Sequence, residues 1–306
     1  MKKSFFPLLS VVVLLLLLTH PALSFQGASR GLLLWYQTVL PTLLPFMICS
    51  NMIVAVNGIP LLTAPVRPLL KGLLRLSDHG CYVLMTGLLC GYPMGAKTCS
   101  EFTWQGRISQ REGAYLFSIS NHPSPMFLLG YVSAVLDSSI PMFLILTAIY
   151  LPVLPLAFLA RSVYGIHGPC VSSLPQDRQH ISFDQSMMNS FEVMIKIGGY
   201  IMLFTILAEF IGQIPFLSSS LQAILLGLIE ITTGIQAVSH VFTGTAQGMI
   251  LCFVTAFGGF CGFFQTRSVI KSPCLSASHY LLWKLLHASA SAGSFILLAS
   301  LLVPGH

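Results

Sequence analysis

Charged residues are scarce in this chain of 306 residues: they make up 8% of it, whereas hydrophobic residues make up 55%. Ordinary soluble domains contain about a quarter charged residues, so the composition excludes that class. The mean hydropathy is +0.82, and several apolar runs are long enough to span a bilayer. We therefore predict an all-α, polytopic integral membrane protein.

Several functional signatures are absent. Acidic residues number 9 against 15 basic ones, and the basic residues lie between apolar runs. Basic residues in such positions set the orientation of a membrane protein, and they do not form a surface for binding nucleic acid. The eight cysteines include no CxxC pair, so no disulfide or metal site is predicted. No HExxH, GxSxG, Walker A or GxGxxG motif occurs, and neither an enzyme, a catalytic residue nor a cofactor is predicted.

The N-terminal segment, residues 1–30, begins with MKKSFFPLLSVVVLLLLLTHPALSF. A basic start, a leucine-rich core and small residues before Phe25 are typical of a signal peptide, and an uncleaved first span has a similar pattern. We favour the uncleaved span, because His20-Pro21 is atypical of a cleavage region. The N-terminus is then expected to be cytoplasmic.

A hydrophilic linker, residues 164–188, divides the remaining chain into residues 31–163 and residues 189–306. Each part contains four apolar runs. They are 31–57, 81–97, 113–136 and 140–160 in the first part, and 189–214, 219–240, 245–265 and 279–303 in the second.

The basic residues of the linkers indicate how these runs cross the membrane. They form three clusters: Arg67, Lys71 and Arg75; Arg107 and Arg111; and Arg267 and Lys271. If all runs spanned the membrane, the last two clusters would lie outside. If 81–97 and 219–240 are re-entrant segments, all three lie inside, as the positive-inside rule prefers. The chain then has about seven spans and two re-entrant segments, arranged as an inverted repeat.

Glycine and proline interrupt the apolar runs at matching places in the two parts. The interruptions are GLLCGYPMGAK (87–97) and SNHPSP (120–125) in the first part, and GLIEITTG (227–234) and FGGFCG (257–262) in the second. Inside a bilayer, broken backbone survives only where protein or trapped water satisfies the freed N–H and C=O groups. We therefore predict broken helices around a cavity. The candidate substrate-binding residues are Gly91, Tyr92, Pro93, Gly95, Lys97, Asn121, His122, Ser124, Glu230, Thr232, Thr233 and Gln265.

Each polar candidate also has a purely structural interpretation. Glu230 lies in an apolar run, where a carboxylate is costly unless it faces a cavity or a partner. It belongs either to a site or to the structure, where it is protonated or paired with Lys97 or Lys196. Lys97 either binds an anionic group or lies at the membrane interface. His122 either couples to protons or only satisfies backbone groups, and the neutral residues either bind a solute or join helices.

Several strings resemble those of the YlbJ-type sporulation integral membrane proteins. They are ASRGLLLWYQTVLPTLLPF (28–46), GYPMGAK (91–97), NHPSPMFLLGYV (121–132), KIGGYIMLF (196–204), EITTG (230–234) and FGGFCGFFQ (257–265). That group carries the nucleoside-recognition Gate domain, which also occurs in concentrative nucleoside transporters and ferrous-iron transport membrane proteins. The resemblance runs from about Ala28 to the C-terminus and implies a transporter-like core that serves spore formation. His122 departs from the pattern, which usually has a second asparagine-like residue there.

The sequence thus predicts a multi-pass protein of the cell membrane that moves or recognises a small polar solute, with nucleoside-like solutes as one class. The alternative is a membrane scaffold that does not transport and that recruits spore-envelope proteins through the linker. Expected partners are the lipid bilayer, the solute, and either a second copy of the chain or other spore-envelope membrane proteins. No nucleic acid is expected among them.

Overall fold

The protein is an all-helical membrane protein. The computed structural model describes residues 2–56, 58–168, 170 and 182–302, and all regular secondary structure within them is helical. Among these residues, five helices are long and apolar enough to cross a membrane: Pro21–Ala55, Met142–Val163, Phe183–Gly212, Gly244–Ser268 and Ala277–Leu302. The predicted class, an all-α polytopic integral membrane protein, is confirmed. Most of the linker 164–188 lies outside the described residues.

The helices are labelled in chain order. Before the linker they are α1 (Lys2–Thr19), α2 (Pro21–Leu34), α3 (Leu40–Ala55), α4 (Ile59–Thr63), α5 (Arg67–Leu74), α6 (Asp78–Cys90), α7 (Met94–Trp104), α8 (Gln110–Ile119), α9 (Pro125–Phe127), α10 (Met142–Tyr150) and α11 (Val153–Val163). After the linker they are α12 (Phe183–Gly212), α13 (Ser219–Ile229), α14 (Ile231–Val241), α15 (Gly244–Phe257), α16 (Gly259–Ser268) and α17 (Ala277–Leu302). Two π-helical turns, Trp35–Val39 and Leu128–Val132, and the 3-10 turn Ser133–Val135 complete the regular structure of the described residues.

The first long helix begins earlier than the apolar run 31–57 indicated. Starting at Pro21, α2 passes through the π-helical turn Trp35–Val39 into α3 and forms one helix of 35 residues. The turn comes just before Pro41, which lacks an N–H and crowds the carbonyl of the preceding turn. The predicted boundary between the N-terminal segment 1–30 and the part 31–163 therefore falls inside helix α2.

Small residues let α2 and α12 approach closely. A Cβ built on Gly27 would lie 2.6 Å from the backbone of Ile206, and a Cβ on Gly31 would lie 2.2 Å from Thr205 Oγ1. Glycine at such positions is a common means of packing membrane helices. This pair of helices carries α3 and the π-helical turn to one side of the candidate site.

Two helix pairs fold back on themselves as hairpins, α6 with α7 and α13 with α14. In the first hairpin, a Cβ on Gly87 would lie 3.1 Å from Cα of Gly95. In the second, a Cβ on Gly234 would lie 2.0 Å from Cα of Gly227. Any side chain would push the arms apart, so each hairpin closes through a pair of glycines.

The open ends of the two hairpins contact the two ends of the segment 112–137. The N–H of Ser77, just before α6, donates to Glu112 Oε1 in the first turn of α8 at 2.7 Å. At the other end of this segment, Asp137 Oδ2 accepts the N–H of Gly244, just after α14, at 2.9 Å. Two segments that re-enter a membrane from opposite sides would have this arrangement.

Cysteine labelling in intact membranes tests the arrangement. In a variant that lacks the native cysteines, Gln105→Cys and Lys271→Cys are expected to react only from the cytoplasmic side, because both positions lie at the end of the molecule that carries the basic linkers. Ser138→Cys, in the loop that contacts Gly244, is expected to react only from the opposite side. Labelling of Gln105→Cys from outside would contradict a re-entrant first hairpin.

Candidate functional site

The helix break between α8 and α9, residues 120–124, is buried and non-helical. Side chains from other helices satisfy its carbonyl groups: Tyr150 Oη donates to Pro123 O at 2.8 Å, and Lys284 Nζ donates to Asn121 O at 3.0 Å. Ser124 Oγ accepts the N–H of Phe127 and caps α9. Protein groups thus supply the partners that a broken helix needs in an apolar surrounding.

The side chain of Asn121 joins elements from both halves of the chain. Its amide nitrogen donates to Thr266 Oγ1 at 3.0 Å and to Tyr280 Oη at 2.7 Å. Its amide oxygen accepts the N–H of Ala96 at 3.5 Å. Asn121 therefore fixes α7, α16 and α17 around the break, which is the helix-joining role that polar residues commonly have in membranes.

Two further breaks meet at Tyr92. Gly91 ends α6 with φ +80°, and Gly258 separates α15 from α16 with φ +81°. Glycine suits both positions because other residues rarely adopt this conformation. A Cβ on Gly258 would lie 3.4 Å from the Tyr92 ring, and Tyr92 Oη donates to Thr255 O at 3.2 Å. The break in the first hairpin therefore packs against the broken helix of the second half.

A cavity of about 70 Å³ lies between these breaks. Six of the twelve predicted residues line it: Gly91, Tyr92, Ser124, Glu230, Thr232 and Gln265. Other lining residues come from the α2–α3 helix (Thr38, Thr42), from helix ends (Cys90, Cys261, Gly262) and from the aromatic ring of Phe127. The volume is sufficient for a few water molecules. The predicted breaks from both parts of the chain thus surround one cavity.

The other six candidates lie outside the cavity wall. Pro93, Asn121 and His122 are buried beside the breaks, and Thr233 bonds to Glu230. Gly95 has a packing role, since a Cβ there would lie 1.8 Å from Ser120 O. The remaining residue, Lys97, lines a different cavity.

That second cavity, of about 280 Å³, is lined by polar and charged residues of α3, α7, α12 and the α16–α17 link. Lys97 Nζ lies 3.1 Å from the carboxylate of Glu101, which also lies 3.3 Å from Lys271 Nζ. Lys196 pairs with Glu192 at 2.6 Å, as their i, i+4 spacing indicates. Neither Lys97 nor Lys196 pairs with Glu230.

The carboxylate of Glu230 instead caps its own helix, α14. Oε1 accepts the N–H of Thr232 at 3.2 Å, and Oε2 accepts the Thr232 hydroxyl at 2.5 Å. Oε2 also accepts the N–H and the hydroxyl of Thr233, at 2.8 and 3.0 Å. The N-terminus of a helix favours a negative charge. The side chain therefore satisfies the backbone at the hairpin tip while it lines the cavity.

The sequence interpretation missed a polar stripe on α17. Tyr280, Lys284, His287 and Ser291 recur at i, i+4, i+7 and i+11, and all four are buried. The His287 ring centroid lies 4.7 Å from that of His122. The rule that drew attention to Glu230, an ionisable residue inside an apolar run, applies equally to Lys284 and would have found it.

The capping geometry predicts the effect of removing the charge at Glu230. In Glu230→Gln, one carboxylate oxygen is replaced by an NH₂ group that faces the N–H and hydroxyl donors of Thr232 and Thr233. We expect a loss of about 1–2 kcal/mol of stability, measured as a lower thermal unfolding midpoint in detergent. Glu230→Asp retains the charge and is expected to lose less.

A matched control is Glu192→Gln, which removes an exposed carboxylate of a surface pair and is expected to leave the midpoint unchanged. An unchanged midpoint in Glu230→Gln would contradict the capping role. A variant with a normal midpoint and reduced function would instead indicate that Glu230 contacts a solute.

Comparisons with known proteins agree with the resemblance seen in the sequence. The chain is 24% identical to the sporulation integral membrane protein YlbJ of Bacillus subtilis (strain 168) over 336 aligned positions, which include 96% of this chain and 81% of the relative. No family model matches the chain, and no solved structure matches it. The similarity to a YlbJ-type sporulation integral membrane protein is confirmed over nearly the whole chain.

Proposed function

We propose that this protein moves a small polar solute across a bacterial membrane during spore formation. Its similarity to a sporulation integral membrane protein over 96% of the chain supports the biological setting. The observation that carries the proposal is the cavity enclosed by breaks from both halves. Unwound segments of membrane helices commonly surround the substrate site in transporters, because their free backbone groups can contact a solute.

The order of elements supports an inverted repeat as the basis of this function. Each half contains a long apolar helix, a hairpin, a broken helix and a further apolar helix. In the first half these are α2–α3, α6–α7, α8–α9 and α10–α11; in the second they are α12, α13–α14, α15–α16 and α17. We place the N-terminus and the basic linkers in the cytoplasm, so that the hairpins enter from opposite sides.

The cavity wall suits a solute with polar groups and a small apolar part. Glu230, Thr232, Gln265 and Ser124 provide hydrogen-bonding groups, and Phe127 provides an aromatic face. A mostly apolar wall with a few polar groups is common in small-molecule sites. Nucleoside-like solutes are one class with this chemistry, and the Gate domain that the resemblance to YlbJ-type proteins implies is the reason to test them first. The proposed function involves no catalytic step and no cofactor.

A cavity-filling substitution tests the proposal. Gly262 lines the cavity, and no atom outside its own chain neighbourhood lies within 4 Å of a Cβ built there. Gly262→Val is therefore expected to occupy the cavity without a clash and to reduce spore formation at least tenfold. The measurement is spore yield in a spore-forming host whose own copy is replaced, together with the amount of protein in the membrane.

Gly199→Val is the matched control, since Gly199 lies on the exposed side of α12 and also has open space around its Cβ. It is expected to leave both spore yield and protein amount unchanged. Normal spore formation with Gly262→Val would contradict transport through this cavity and favour the scaffold. Metabolites that raise the unfolding midpoint of the wild type but not of Gly262→Val identify the solute.

A further inference from the structure

We propose that the break between α8 and α9 is a binding site for a monovalent cation, and that the ammonium group of Lys284 occupies this site. The protein then supplies from its own chain the cation that the break requires. The proposal concerns the chemistry of the break and does not depend on transport of a solute.

The surroundings of Lys284 provide the ligands of a cation. The residue is 3% exposed. Its Nζ donates to Asn121 O at 3.0 Å and lies 5.6 Å from the centroid of the Tyr92 ring. A backbone carbonyl and the face of an aromatic ring both carry negative charge density toward the ammonium group. The two ligands come from two different breaks in the first half of the chain.

No acidic side chain compensates the charge within the described ranges 2–56, 58–168, 170 and 182–302. The ion pairs found there involve other residues. An unpaired buried ammonium is costly, so some other group must offset it. The carbonyl end of α8 points into this region, and the C-terminus of a helix carries partial negative charge. The backbone of the break is thus the counter-charge of Lys284.

The neighbouring histidines fit the same interpretation. His122 Nε2 lies 2.5 Å from Ile119 O, and His287 Nε2 lies 2.8 Å from Ile149 O. Both rings therefore also direct a nitrogen at a backbone carbonyl. Nitrogen atoms of three side chains thus lie within hydrogen-bond distance of backbone carbonyls at or near the ends of α8 and α10.

Chemical rescue tests the site directly. Lys284→Ala removes the atoms of an n-propylammonium group and leaves the carbonyl and the ring in place. We expect its thermal unfolding midpoint in detergent to fall by several degrees and to recover by at least half on addition of n-propylammonium chloride. The same salt is expected to leave the wild type unchanged.

Three controls separate charge from other effects. The uncharged n-propanol fills the same space, and tetramethylammonium chloride supplies a cation without an N–H donor; neither is expected to restore the midpoint. Lys196→Ala removes an exposed lysine of a surface pair, and n-propylammonium is expected to have no effect on it. Recovery with n-propanol equal to that with n-propylammonium would overturn the proposal, because it would show that only the space matters.

If the alanine variant does not accumulate, Lys284→Met and Lys284→Arg test the requirement for a charge instead. Methionine retains most of the side-chain volume without the charge and is expected to lower the midpoint, whereas arginine retains the charge and is expected to lower it less. Buried charges in proteins can often be replaced by apolar groups without loss of stability. If the methionine variant were as stable as the wild type, Lys284 would be such a case, and the break would not need a cation. These measurements need no solute, so failure of the transport proposal would not affect them.

Discussion

The structure depends on one constraint: backbone groups freed by a helix break in an apolar surrounding must find partners within the protein. At the break between α8 and α9, Lys284 and Tyr150 donate to two of the freed carbonyls, and Asn121 bonds to three other elements. At the tip of the second hairpin, Glu230 accepts the donors that begin α14. Buried polar side chains thus supply the partners of backbone groups at these helix ends.

The same constraint explains why structure and function are hard to separate at these positions. A side chain at a break can satisfy backbone groups and still present part of its surface to a cavity. Glu230 illustrates this, because it caps α14 and also lines the cavity. Asn121 illustrates the opposite case, because neighbouring helices engage its side-chain amide and its carbonyl oxygen, and it lies outside the cavity wall. Polar character alone does not distinguish these two roles.

Much of the fold could be predicted from the sequence, because apolar runs and their interruptions are local features. Each of the four interruptions corresponds to a helix break, and Gly91 and Gly258 have the positive φ values that glycine permits. The sequence predicted less well which residues line the cavity, because this depends on contacts between residues far apart in the chain. Thr38 and Thr42 line the cavity although they lie outside the predicted interruptions, whereas Lys97 belongs to a predicted interruption and lines another cavity.

The central claim is that breaks from both halves surround a cavity that water can enter, and the native cysteines allow a direct measurement. Cys261 lines the cavity, whereas Cys252 is buried in α15 outside it. In membranes that contain variants with one cysteine each, a charged methanethiosulfonate reagent, which reacts only where water is present, is expected to modify Cys261 at least ten times faster than Cys252. Equal and negligible rates at both positions would contradict a water-accessible cavity at the breaks.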